Sequence, residues 1–222
     1  MERPRGKPPT LHDPINKELS YELPNYPDEV SALMMMPDRS LYDYLLNIRV
    51  FRFDPLGAKT PDESNADASE LHPHGHNVAT MLATLESNAD IRSQIIDWLE
   101  LIVPGMTGVS TDKQKLNGGT VIKFKEEGIK AFFPANLISD GTIYALCIMT
   151  AVLSRARKIG MTFIEEPERG LHPKAIEQLV SLMRENAATE HPVFITTHSE
   201  SVVRASNIDE LWLVNKSDGK TT

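Results

Sequence analysis

From residue 139 onward the sequence alternates helical patterns with short apolar runs, and each of those runs ends abruptly in polar residues. Residues 141–157 read as one apolar helix. Residues 161–164 are a short apolar strand. Pro173 suits the first position of a helix, which then carries Ile176, Leu179, Val180 and Met183 at helical spacing. Residues 193–196 form a second strand, a short helix starts near Ser199, and residues 210–214 read as a third strand. Short strands separated by helices with brief connections run parallel, because each crossover returns the chain to the same end of the sheet. The expected fold class is therefore α/β, with parallel strands flanked by helices.

The first part of the chain is less regular. Residues 1–39 hold seven of the fifteen prolines and are expected to form an extended arm or linker ahead of a single domain, 40–222. Residues 40–47 suit a short helix and 48–53 an alternating strand. Residues 54–76 are a polar loop in which His72, His74 and His76 alternate. Two helices follow, 77–85 and 89–102, and a helical insertion is expected over about 77–115. Residues 120–125 and 129–133 read as a β-hairpin joined at Glu126-Glu127-Gly128. The formal net charge of −8 argues against a surface built wholly for nucleic acid. Cys147 is the sole cysteine and is expected to be a small buried hydrophobe. The longest apolar stretch, 143–153, is far shorter than the roughly 20 residues of a membrane span.

Three motifs carry chemistry. In Phe163-Ile164-Glu165-Glu166-Pro167, two adjacent carboxylates stand at the C-terminal end of a strand, where α/β sheets bind ligands. Like charges side by side call for a cation or a polarised water, so one acid suits Mg²⁺ and the other an attacking water. The alternative is a solvated acidic turn. In Phe194-Ile195-Thr196-Thr197-His198-Ser199 a strand ends in a histidine, suited either to a phosphate or to capping the next helix. In Ser139-Asp140-Gly141-Thr142 a helix N-terminus offers free N–H groups and close backbone access for a phosphate, or simply an N-cap.

The order of these motifs, with Leu171-His172-Pro173 between the acid pair and the histidine, resembles ABC-type ATPases of the SMC/RecF/OLD-like group. Predicted bacterial AAA-family ATPases of that group are the nearest likeness. The dense part of the likeness covers about residues 132–214. It implies the C-terminal part of an ABC-type P-loop NTPase fold, with ATP and Mg²⁺ as cofactors and ATP sandwiched at a dimer interface. By the same resemblance Glu165 is the Walker B acid serving Mg²⁺, Glu166 the catalytic base and His198 the switch histidine. Ser139, Asp140 and Gly141 stand in the signature turn that reaches the γ-phosphate held by a partner. Arg169 to His172 form the D-loop that crosses the interface. Relatives act in DNA repair, chromosome maintenance and phage defence, so a homodimer or a partner lobe carrying the phosphate loop is implied, with a DNA or nuclease partner and no membrane; a single thiol with no secretory signal fits a cytoplasmic protein.

One element of that pattern is missing: no G-x-x-x-x-G-K-[ST] phosphate loop occurs in the 222 residues. The chain is expected to be a fragment, a truncated form or one half of a split ATPase, inactive alone and completed by a partner lobe that carries the loop. The alternative is a non-catalytic subunit of the same fold that completes a partner's ATP site.

Overall fold

The computed structural model describes residues 40–116, 118–217 and 219–221, and the backbone of 10–12 and 20–22. Most of the Pro-rich arm expected over 1–39 therefore lies outside the described residues. The chain divides into two units, Met1–Asn47 and Ile48–Thr222. In the first, β1 (Thr10–His12) and β2 (Ser20–Glu22) pair antiparallel, Leu11 opposite Tyr21. Helix α1 (Ser40–Leu46) follows, and the Asn47 side chain donates to the Asp43 carbonyl at its end.

The second unit is organised around a parallel sheet. Strand β3 (Arg49–Phe51) leads into a single helical turn, α2 (Pro55–Ala58), capped by Asp54. Helices α3 (Val78–Glu86) and α4 (Ala89–Ile102) come next, the latter capped by Asn88, whose side chain accepts from the Asp90 and Ile91 amides. The helical insertion expected over about 77–115 is shorter than that: its second helix ends at Ile102, and β4 (Met106–Lys113) begins soon after Pro104-Gly105. It pairs with β5 (Thr120–Glu126) in a long antiparallel hairpin. The expected strand 129–133 shrinks to β6 (Phe133–Pro134), because the Ile129 amide closes a tight turn on the Glu126 carbonyl and Phe132 points outward.

Helix α5 (Asp140–Arg155) has 14 of its 16 residues buried, as an all-round apolar helix must. It leads to β7 (Thr162–Glu165), α6 (Pro173–Asn186), β8 (Val193–Thr196) and α7 (Glu200–Ala205). The sheet order is β3-β7-β8, all parallel, with Phe51 beside Ile164 and Ile164 beside Ile195. Its interior is Phe51, Phe53 and Ile164 against Tyr144 and Ile148 of α5. Each such apolar side chain removed from water contributes about 1.5–3 kcal/mol.

The strand expected over 210–214 is also corrected. Ile208–Glu210 is one 3-10 turn, pinned to α6 by a two-pronged Arg184–Glu210 ion pair at 2.7 and 2.8 Å. Residues 211–215 then run without strand pairing. Trp212, Leu213 and Val214 are 91, 84 and 70% exposed, so their apolar character satisfies no sheet within the described residues. A small hairpin, β9 (Lys216–Ser217) and β10 (Lys220–Thr221), ends the unit.

One polar network fixes the edge of the sheet opposite β8. Arg155 is buried; its Nε donates to Thr162 Oγ1 at 2.8 Å and its Nη1 lies 3.7 Å from Glu70 Oε1. Glu70 also pairs with Arg49 of β3, through Nε and, at 2.8 Å, through Nη2. The Arg49 hydrogen bond holds the Glu70 carboxyl below the usual range, and stability that depends on it fails as pH falls through that lowered value. Glu70→Ala leaves two guanidinium groups facing each other, one of them buried. We expect a loss of about 1.5–3 kcal/mol, less than a fully buried ion pair would give because Glu70 is partly open to water. Urea denaturation at pH 7 checks this, and an unchanged midpoint would contradict it.

Candidate functional site

Strands β7 and β8 end at the same edge, with Glu165 in register with Thr196. Just past that pair, the Glu166 amide donates to the Thr196 carbonyl at 2.8 Å. The chain then turns sharply. Glu166 has φ 47°, the single non-glycine residue in the left-handed region among those described. That conformation costs a residue bearing a Cβ on the order of 1–2 kcal/mol and persists only where neighbours impose it. Here they do. The Tyr144 hydroxyl, on α5, donates to the carbonyls of Glu165 (2.9 Å) and Glu166 (3.2 Å), and the Arg169 amide closes on the Glu166 carbonyl at 3.1 Å. Burial pushes the Tyr144 phenol up to about 12, so it stays a neutral donor. The turn thus presents the Glu166 carboxylate to solvent while its backbone is held from three sides.

The histidine turn leaves β8 beside it. Glu168 Oε1 accepts from Thr197 Oγ1 at 2.8 Å and from the His198 amide at 3.4 Å. Thr197 Oγ1 in turn accepts from the Ser199 amide at 2.9 Å, at the start of α7. The His198 side chain is exposed, as is Glu166.

The third motif sits at the N-terminus of α5. Ser139 caps it by accepting from the Thr142 amide at 3.1 Å. Asp140 forms an ion pair with Lys59. What comes close to Gly141 is this chain's own backbone: a Cβ there would lie 2.2 Å from the Gly170 carbonyl oxygen. Gly170 takes φ +72° in the tight turn 168–171, closed by the Leu171 amide on the Glu168 carbonyl. His172 caps α6, its Nδ1 accepting from the Lys174 amide at 3.3 Å. Gly141 and Gly170 therefore pack the signature-like turn on the segment that follows the acids.

Residues that the motifs did not single out complete the surroundings. A cleft of about 550 Å³ is lined by Arg52, Asp54, His74, Asp140, Tyr144 and Arg169. Arg52 Nε stands 3.6 Å from Glu165 Oε2, a solvent-exposed pair worth little. His74 Nδ1 bonds the Arg52 carbonyl at 2.9 Å and His76 Nε2 lies 3.5 Å from Asp54. These histidines thus fasten the loop to the end of β3. Among the described residues no cluster of three or more His, Cys, Asp or Glu gathers to hold a metal by itself. Arg52 was readable in principle, since the alternating strand 48–53 runs parallel to β7 and delivers it to the same edge. Cys147 is fully buried and burial pushes its thiol far up, as expected of a packing residue.

The oxygen-only donors at the acid turn fit a hard divalent cation that keeps most of its waters. The parallel sheet, its helical layers and the acid and histidine turns at one edge define a P-loop NTPase-type α/β fold. The chain belongs to the AAA-domain family described as putative AbiEii toxin, type IV TA system, whose profile matches residues 17–204. It is thus an AAA-domain module. Solved structures agree on the fold. A chain from work on ATP-driven dimerisation and DNA-stimulated activation of SMC ATPases is 14% identical, with TM-score 0.50, over 65% of this chain and 86% of its own length. An SMC head bound to the C-terminal winged-helix domain of ScpA is 14% identical, with TM-score 0.54, over 79% of this chain and 53% of its own length. This chain therefore spans only about half of that second protein. No curated protein matches the sequence. No helix among the described residues is long and apolar enough to cross a membrane.

Proposed function

We propose that this chain supplies the hydrolytic half of an ATP site: the acids, the histidine and the signature turn, with the phosphate loop contributed by another lobe. The observation that carries this is the parallel pairing of β7 with β8, Glu165 opposite Thr196, which sets the acid and histidine turns side by side. In this reading Glu165 holds Mg²⁺, mostly through water, since its long arm stands off the strand end. Glu166 orients a water and takes its proton as the water attacks the γ-phosphorus. The bond to the ADP oxygen breaks, and His198 donates to the γ-phosphate oxygens. Ser139, Asp140 and Gly141, with Arg169 and His172, face ATP or the partner across an interface.

The partner lobe has a matching place to dock. Strand β8 pairs only with β7 among the described residues, so its outer edge is open. Phe194 on β8 is 45% exposed, and the exposed apolar run Trp212-Leu213-Val214 lies in the same unit. Open strand edges recruit strands. A lobe that adds a parallel strand at β8 would bring its phosphate loop to the edge that already holds Glu166. The protein studied for ATP-driven dimerisation and DNA-stimulated activation suggests that ATP closes such modules and that DNA modulates them; both come here as part of the proposal.

Titration calorimetry with ATP and Mg²⁺ tests this. The chain alone should bind no ATP, since the loop's amides and lysine are its main anchor. Binding should appear when a lobe bearing G-x-x-x-x-G-K-[ST], taken from a family member, is supplied in trans. Glu166-dependent turnover by the 222-residue chain alone would refute the split-site reading. Absence of binding with the lobe present would favour a non-catalytic subunit of the same fold.

A further inference from the structure

We infer that Glu168 is a positioning residue: a carboxylate tether that sets where the His198 turn stands relative to Glu166. Three observations carry this. Glu168 follows Glu166 by two residues, inside the turn that Tyr144 and the Thr196 carbonyl hold fixed. Its Oε1 reaches across to the other turn and accepts from both the Thr197 hydroxyl and the His198 amide. Thr197 Oγ1 then accepts from the Ser199 amide, so the same carboxylate oxygen anchors the first turn of α7 through one hydroxyl.

The other oxygen sharpens the point. Glu168 Oε2 is buried and has no hydrogen-bond partner among the described residues. A buried acceptor without a donor is costly, and a shorter or apolar residue would avoid that cost. The geometry is therefore kept for what Oε1 does. Aspartate, one methylene shorter, cannot span from β7's turn to the Thr197 hydroxyl without moving the backbone. Glutamine can: its Oε1 accepts both donors, as a neutral amide rather than a carboxylate. Glu168 touches no reacting atom in this reading, and acts through the histidine turn.

The tether itself is independent of any ATP chemistry; its catalytic consequence rests on the roles proposed above for Glu166 and His198. Two measurements keep these apart. Amide hydrogen exchange on the chain alone, in Glu168→Ala, should rise about ten-fold at His198 and Ser199, the effect of losing one charge-assisted hydrogen bond. Exchange at Ile164 and Ile195 should hold, which shows that the sheet is intact. Glu168→Gln should bring exchange most of the way back to wild type, and Thr197→Val should raise exchange at Ser199, whose acceptor it removes, more than at His198. With the lobe supplied, Glu168→Ala should lower kcat about ten-fold or more with KM for ATP little changed, again rescued by glutamine. Unchanged His198 exchange in Glu168→Ala, or no rescue by Gln, overturns the tether. Altered exchange with an unchanged kcat overturns the positioning role alone. A lobe-complemented wild type that shows no turnover at all indicts the proposed function, and leaves the exchange result to decide the tether.

Discussion

Glu166→Gln should cut ATP turnover of the lobe-complemented module by about 10²–10⁴-fold, the usual worth of a positioned general base. The substitution is chosen for its backbone. Glu166 sits at φ 47°, held by its own amide on the Thr196 carbonyl and by the Tyr144 hydroxyl on its carbonyl. None of those bonds uses the carboxylate. Glutamine therefore keeps the turn, the size and the hydrogen-bonding reach, and loses only the ability to accept a proton. ATP and Mg²⁺ affinity measured by calorimetry should stay within a few-fold, since Glu165 remains. The contrast with Glu165→Gln is informative: there the Mg²⁺ dependence should move to higher concentration. If the Glu166→Gln module turns over within ten-fold of wild type, some other group activates the water and the assignment fails.

How much of this was legible beforehand follows from the range of the interactions. The elements 141–157, 173 onward and 193–196 declare themselves because their apolar period, caps and prolines are local. The structure returns them as α5, α6 and β8 with shifts of a residue or two. The meeting of the acid and histidine turns also followed from local signals, since strands linked by a helical crossover run parallel. Strand β4 was missed because Met-Thr-Gly-Val-Ser-Thr-Asp-Lys has a glycine and little alternation. Its strand character comes from β5, opposite it, where Val109 faces Phe124. Residues 210–214 erred the other way: the apolar run Leu211-Trp212-Leu213-Val214 reads as strand, yet among the described residues it pairs with no neighbouring strand. Pairings such as Glu168 with Thr197, 29 residues apart, or Arg49 with Glu70, depend on how elements dock and leave no periodic trace. Small residues announce that something comes close, without saying what.

Gly141 makes that last point testable. In the sequence, a glycine at a helix N-terminus in Ser-Asp-Gly-Thr suggests room for a phosphate. In the structure, the Gly170 carbonyl oxygen occupies that room, 2.2 Å from where a Cβ would stand. Two opposing terms decide the outcome of Gly141→Ala. Helix propensity favours alanine by up to about 1 kcal/mol. The clash is with backbone rather than with the end of a flexible side chain. Neither partner yields easily: α5 is buried along its length, and Gly170 is fixed by φ +72° in a closed turn. Overpacking into such sites costs about 1–3 kcal/mol and sometimes more, and the absence of slack puts this one at the upper end. We expect a net loss of roughly 2 kcal/mol, a melting temperature lower by about 4–8 °C for a chain of this size. Gly105→Ala is the matched control. It has φ +89° but nothing within 4 Å, so it should cost only the left-handed backbone, on the order of 1–2 kcal/mol. If Gly141→Ala melts no lower than Gly105→Ala, the two turns slide apart freely, and the glycine is then explained by a ligand instead of by the fold.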